Sequence, residues 1–242
     1  MAIFSDIHGN LPALEAVLED IKKKNISQLY CLGDLVDFAP WGNEVIERIR
    51  SLGIPCLQGN HDQRIAMNLP VVPLQHHGEI ETLNRIGAIN HSKSTINEPN
   101  KLWLAQLPCQ LEISFSIGRI IKRILLVHGS TRSNDEYIFE DHDQDDLLIM
   151  LDQTDADVLI MGHTHLPYIK QIDAQSGDKV FINCGSVGRS REKMQLATYA
   201  VVSITETNVS AEIVRIPYNI ETVASAIYKS RIPDFYADFL LL

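Results

Sequence analysis

Seven side chains that commonly ligate metals stand directly behind short apolar runs: Asp6 and His8, then Asp34, Asn60, His128, and finally His163 and His165. His61 follows Asn60 at once. Carboxylate, imidazole and amide oxygen make a mixed N/O donor set, which suits Mn, Fe, Zn, Ni or Co and not a thiolate site. Asp6-x-His8 and His163-x-His165 each place two side chains on one side of a strand end, so both members of a pair reach one site. A carboxylate with two oxygens can bridge two cations and offset their repulsion, and Asp34 is the candidate for that role. Two ions about 3.5–4 Å apart clamp a phosphate, stabilise charge on its oxygens and lower the pKa of a shared water. The protein then needs little more than an acid for the leaving oxygen, and His61 stands beside Asn60. Five such segments in order are hard to explain as core polar groups, since each buried one would need its own partner.

The elements that must position these residues are legible as periodicities. A short strand over 2–4 meets Ser5-Asp6; Leu11, Leu14, Val17, Leu18 and Ile21 then recur at helical spacing, so 11–24 is an amphipathic helix. Strands over 29–32 and 54–57 flank a helix over 43–51, and the β-α-β-α-β order implies parallel strands joined by right-handed crossovers. In such sheets ligands bind outside the carboxyl ends of the strands, which lets residues spread over 160 positions converge. Residues 63–109 change character: helices over about 79–94 and 98–107, interrupted by Pro70, Pro73 and Pro99, form a helical excursion that can act as a partial lid. Strands resume over 110–116, 124–127 and 158–161, with a helix near 143–152. Closely spaced strands near 167–172, 179–183, 198–204 and 209–216 read as antiparallel pairs, and a last helix lies near 219–229. We expect one domain over 1–242, since 63–109 holds too few apolar residues for a second core.

Charge and composition narrow the function. A net charge of -10 disfavours nucleic acid gripped through its backbone, which needs Lys and Arg to replace counterions. A phosphate substrate must then be drawn in by local positive charge, which bound metal can supply. Cys31, Cys56 and Cys184 lie in or beside apolar runs and read as small core residues, not as ligands or disulfide partners. The chain opens without a basic stretch and apolar core of a signal peptide, and no apolar run approaches the roughly 20 residues that span a bilayer. A cytoplasmic location is the expectation.

The succession Asp6-x-His8, Gly33-Asp34-x-x-Asp37, Gly59-Asn60-His61-Asp62, His128-Gly129 and Gly162-His163-x-His165 resembles the calcineurin-like metallophosphoesterase superfamily. Asn183-Cys184-Gly185-Ser186-Val187-Gly188 is similar to the Asn-Pro-Gly-Ser-Val-Gly block of its small bacterial and archaeal phosphodiesterase branch. The resemblance implies an α/β fold, a four-layer α/β/β/α sandwich of two mixed sheets, with a dinuclear site. It implies that Asp6, His8, Asp34 and His165 hold one metal, and that Asp34, Asn60, His128 and His163 hold the other. His61 would contact the phosphate or protonate the leaving oxygen, and Asp37 would orient His61 or the ligands. The implied activity is a hydrolase of phosphoric ester bonds, acting on a small phosphodiester or nucleotide through metal-bound hydroxide, with manganese the first choice of ion. A phosphomonoesterase, a metal-dependent nuclease and a catalytically silent scaffold are the alternatives. Asp37-Phe38 stands where protein serine/threonine phosphatases have Asp-Arg-Gly, which disfavours phosphoprotein substrates. Arg189 and Arg191 follow the glycine-containing block and can meet substrate phosphate. Phe38 and Trp41 either pack against a helix or stack a base. The short first strand would leave Asp6 and His8 loosely anchored.

Overall fold

The computed structural model describes residues 1–74, 78–174, 177–206 and 208–242. In chain order its elements are β1 (Ala2–Phe4), α1 (Leu11–Lys23), β2 (Leu29–Cys31), α2 (Gly42–Ser51), α3 (Asn60–Ala66), α4 (Glu79–Thr95) and α5 (Glu98–Ala105). There follow β3 (Gln110–Ile117), β4 (Ile120–Val127), α6 (Gln144–Asp152), β5 (Val158–Met161), β6 (Tyr168–Ile172) and β7 (Lys179–Asn183). The chain ends with β8 (Ala197–Ile204), β9 (Val209–Ile216), α7 (Ile220–Tyr228) and α8 (Phe235–Leu241). The strands form two mixed sheets, one in the order β2-β1-β8-β9 and the other β3-β4-β5-β7-β6.

Side-chain alternation sorts these elements into four layers. Along β1, Ala2 and Phe4 face outward onto α1 and α2, where Leu14, Val17, Ile46 and Ile49 cover them, while Ile3 faces the other sheet. Along β4 and β5, Ile124, Leu126, Val158 and Ile160 meet Ile3, Ala200 and Val202 between the sheets. Leu125, Val127, Leu159 and Met161 point the other way, onto Leu147, Met150 and Leu151 of α6. Strands buried on both faces must be apolar at every position, which is why they read as continuous runs and not as alternating ones. A fourth cluster joins α7 and α8 to Phe38, Ala39 and Ala88, and so ties the C-terminal helices to the loop after β2.

Several expectations on the elements change. The strand expected over 54–57 is reduced to one parallel bridge between Cys31 and Cys56. Pro55 has no N–H to donate there, and only its carbonyl joins, accepting from Cys31 N at 2.9 Å. Residues 60–66 form the short helix α3, so Asn60 and His61 stand on its first turn. The first strand is short but not loose: it lies between β2 and β8, parallel to one and antiparallel to the other. Beyond it, Asp6 N, His8 N and Gly9 N donate to Gly33, Asp34 and Leu35 carbonyls at 2.8–2.9 Å, so the two loops continue the pairing that the strands begin. Cys31, Cys56 and Cys184 are buried free thiols, as expected.

Candidate metal centre

The loops that follow β1, β2, β4 and β5 meet above the carboxyl ends of those strands. Their backbone takes an unusual form: Asp6, His8, Asp34, Asp37, Phe38, His163 and His165 all have φ between 51° and 76°. Asp and His tolerate this left-handed region better than most residues, whereas for a bulky residue such as Phe38 it is an outlier that the surroundings must enforce. The block after β7 holds the first loop in place. Val187 N and Gly188 N donate to Ser5 O and Asp6 O at 3.0 Å, and Ser186 Oγ donates to Asp6 O at 2.8 Å. A Cβ on Gly188 would lie 1.8 Å from Ile7 O, so only glycine permits this approach.

Three imidazoles are turned the same way. The Nδ1 atoms of His8, His128 and His165 lie 3.0, 2.9 and 2.6 Å from the carbonyls of Val36, Leu32 and Arg189. A carbonyl accepts only, so Nδ1 carries the proton in each and Nε2 presents a lone pair inward when the ring is neutral. His8 Nε2 then lies 3.1 Å from His165 Nε2, which is itself 3.1 Å from Asp6 Oδ1. Asp6 Oδ1 is buried and accepts no hydrogen bond, while its Oδ2 accepts from His163 N at 2.9 Å. Electron pairs facing one another at such distances call for positive charge between them. The second group is alike: His128 Nε2 lies 3.3 Å from Asp34 Oδ2 and 3.2 Å from Asn60 Oδ1. Asn60 is oriented by Asp135, whose Oδ1 accepts from Asn60 Nδ2 at 2.8 Å, leaving its amide oxygen turned inward. His163 Nε2 is buried without a hydrogen-bond partner, 4.0 Å from Asp135 Oδ1.

Among the described residues, two sets therefore have the spacing to hold a metal ion: Asp6, His8 and His165, and Asp34, His128 and His163. Asp34 Oδ2 reaches toward both, 3.8 Å from His8 Nε2 and 3.3 Å from His128 Nε2. Burial lowers the His8 pKa to about 4 and that of His163 to about 3, so both rings are neutral donors at neutral pH. Burial also opposes a charge on His128, but Asp34, with Asp6 and Asp62 behind it, overcomes that and carries the ring up to about 10. A position that so favours a proton also favours a cation in its place. The donors present thus fit divalent metal.

His61 lies beside this centre. Its Nδ1 is 2.5 Å from Asp37 Oδ2, its backbone N donates to Asp34 Oδ1 at 2.8 Å, and it borders a cavity that Asp34, Asn60, His163 and His165 also line. Burial pushes Asp37 up to about 7 and His61 well below the usual imidazole range. Arg189 and Arg191 border the same cavity. Phe38 packs between His8, His61 and Tyr236 at ring separations of 4.7–5.0 Å, which resolves its role toward packing.

Sequence reasoning missed some of the surroundings. Asp62 is the clamp of the second loop: its carboxylate accepts from Asp34 N at 2.7 Å, Leu35 N at 2.8 Å and Gly59 N at 3.0 Å. Burial and the Asp34 charge push Asp62 up to about 8, against the pull of these N–H groups. An acid three residues after the glycine that opens α3 is a readable helix-start signal. Arg85, Asp135 and Tyr236 also line the cavity, and no local pattern announced them.

A family model described as the calcineurin-like phosphoesterase superfamily domain matches residues 1–207. The chain belongs to this superfamily, and is accordingly a hydrolase of phosphoric ester bonds in a metal-dependent family. It is 31% identical to the uncharacterized protein MJ0912 of Methanocaldococcus jannaschii, with 100% of this chain and 97% of that protein covered. Its fold is that of a metallophosphoesterase from Sphaerobacter thermophilus, with a TM-score of 0.75, 24% identity and 99% of this chain and 98% of the other covered. The hypothetical protein PH1004 of Pyrococcus horikoshii shares it too, with a TM-score of 0.80, 22% identity and 99% and 96% covered. Among the described residues no helix is long and apolar enough to cross a membrane.

Proposed function

We propose that the chain is a dinuclear metallophosphoesterase that hydrolyses a small phosphodiester or nucleotide. Asp6, His8, Asp34 and His165 would hold one divalent cation, and Asp34, Asn60, His128 and His163 the other. The observation that carries this reading is the shared orientation of His8, His128 and His165, whose Nδ1 atoms are tied to carbonyls so that Nε2 lone pairs converge on two buried carboxylates. Bound divalent cations, manganese first among them, supply Lewis acidity that neutralises phosphate oxygens and acidifies water.

The chain's own groups do the rest. Asp34 offsets the charge of both cations, and Asp62 holds its loop rigid. Asp37 fixes the proton on His61 Nδ1, and a phosphate anion in the cavity favours a second proton on Nε2, which passes to the leaving oxygen. Arg189 and Arg191 bind phosphate oxygens. The charge of -10 argues further against nucleic acid and for a small phosphate ester. We read 1–242 as one unit, cytoplasmic, in which the described part of residues 63–109, that is 63–74 and 78–109, serves as a partial lid, since Leu74, Glu81 and Arg85 border the cavity; 75–77 lie outside the described residues.

The test is to strip the protein of metal and assay bis-p-nitrophenyl phosphate and p-nitrophenyl phosphate across Mn, Ni, Co, Zn and Mg, with Asp34→Asn and His61→Gln alongside. Diesterase activity restored by metal and lost in both variants is expected. Turnover of the monoester alone would make the protein a phosphomonoesterase, and no turnover of either would sink the hydrolytic reading.

A further inference from the structure

The last helix puts a tyrosine into the wall of the metal centre. Tyr236 stands on the first turn of α8, beyond residue 207 where the family match ends, and borders the cavity that Asp34, His61 and His163 also line. Its ring is 3% exposed and is held on three sides. Phe38 stacks on it at a centroid separation of 4.7 Å, Phe235 meets it edge-on at 5.3 Å, and the Arg189 guanidinium lies 5.4 Å from its centroid. The helix that carries it is fixed in turn. Tyr236 N donates to Pro233 O at 3.1 Å, and Pro233 lies so close to α4 that a Cβ on Gly87 would be 2.9 Å from its Cγ. Tyr236 therefore has one position, set before any ligand arrives.

The hydroxyl end of this ring is the end that faces the cavity. The charges that act on it are those of Arg189, Asp37, Arg85 and Glu81, and Arg189, Arg85 and Glu81 line the same cavity. Burial first, then Asp37 and Glu81, hold the phenol above its usual value against the pull of the two arginines, so it keeps its proton at neutral pH and is a donor. A phenol buried this deeply ordinarily gives its hydrogen to a protein acceptor. Tyr199 OH donates to Asp20 Oδ2 at 2.5 Å and Tyr168 OH to Ile138 O at 3.0 Å. Among the described residues no acceptor is found for the Tyr236 hydroxyl, and its oxygen is not sealed from the cavity. Phe38, on which the ring stacks, also touches His61 at 5.0 Å, so the phenol enters the cavity on the side of that imidazole. Of the oxygens that a phosphate ester presents there, the non-bridging ones carry the negative charge, and an O–H donor gains most from them.

Building on the hydrolytic reading above, we propose that Tyr236 is a catalytic residue that donates its hydroxyl hydrogen to a non-bridging phosphoryl oxygen of the substrate, beside His61.

The test is Tyr236→Phe in the full chain, which keeps the ring and its contacts and removes one oxygen. Tyr228→Phe is the control, since it removes another hydroxyl bond of the same helix pair, to Asp238 Oδ1 at 2.6 Å on the surface. Inorganic phosphate is titrated calorimetrically into the manganese-loaded protein, and kcat/KM is measured on bis-p-nitrophenyl phosphate and on diphenyl phosphate, whose leaving oxygen is more basic. Tyr236→Phe should bind phosphate about tenfold more weakly and lose about tenfold or more in kcat/KM, equally on both esters, with the melting temperature and metal content of the wild type. Tyr228→Phe should match the wild type in binding and turnover. Phosphate affinity undiminished in Tyr236→Phe, or a wild type that binds no phosphate, would overturn the proposal. A loss confined to one ester would do the same, by moving the contact to the leaving group. A wild type that hydrolyses neither ester would instead count against the hydrolytic reading, and the phosphate comparison would still decide whether Tyr236 reaches the anion.

Discussion

In the proposed mechanism one hydrogen bond, between His61 and Asp37, governs the proton transfer. With Nδ1 committed to Asp37 at 2.5 Å, the ring can act on substrate only through Nε2. An acid matters most when the leaving oxygen is basic. His61→Gln should therefore lower kcat by about 10²–10⁴-fold on an alkyl leaving group and by much less on p-nitrophenolate, with metal content unchanged. Equal losses on both substrates, measured side by side, would remove the proton-donor role. The ligand-type residues were legible because each follows a short apolar run, so the ends of such runs in the sequence become neighbours in space. Arg85 and Tyr236 were not, because α4 and α8 bring them to the cavity from segments whose own patterns speak only of helices. Asp135 was hidden in a loop for the same reason.

At the scale of elements, the turn after β7 acts as the scaffold for Asp6. Gly188 is the point of contact, and Gly188→Ala would drive a methyl into Ile7 O. We expect a loss of about 1–3 kcal/mol by urea denaturation, together with weaker metal retention. Gly53→Ala is the contrast: no atom lies within 4 Å of its Cβ position, and only the φ of 62° opposes it. That variant should lose about 1 kcal/mol and keep its metal. If the two variants behaved alike, the scaffold role would be wrong. Helix positions followed closely from periodicity, as α4 and α5 illustrate. The strand at 54–57 did not form fully, because an apolar run specifies burial but not how many ladder bonds its backbone can make. Strand β4 begins at Ile120, ahead of the apolar run at 124–127, since its first turns pair with β3 on an exposed edge where polar residues are tolerated.

For the whole molecule, charge burial at the centre dictates how stability without metal depends on pH. His8, His61 and His163 have depressed pKa values in the fold, so below about 6.5 the unfolded chain takes up protons that the fold refuses. Raised carboxyls on Asp37 and Asp62 offset two of these three, and stability still falls as pH drops toward 4. Above 6.5 the sign reverses. Asp37, Asp62 and His128, at about 7, 8 and 10, retain protons that the unfolded chain has released, so stability declines as pH rises. Urea midpoints in chelator should peak near pH 6.5, and metal should move the peak upward because ligation expels the His128 proton. A metal-free midpoint that climbed steadily from pH 6 to 8 would refute this balance. The two-sheet architecture was legible only through resemblance: β8 inserts beside β1 from nearly 200 residues away, and no local periodicity encodes such a pairing.

The central claim is that Asp34 joins two cations, and metal stoichiometry tests it most directly. Apo protein loaded with manganese, freed of excess and analysed for metal per chain should hold two ions, with Asp34→Asn holding one or none and His61→Gln still holding two. One ion per wild-type chain under saturating metal, or two ions undisturbed in Asp34→Asn, would contradict the account.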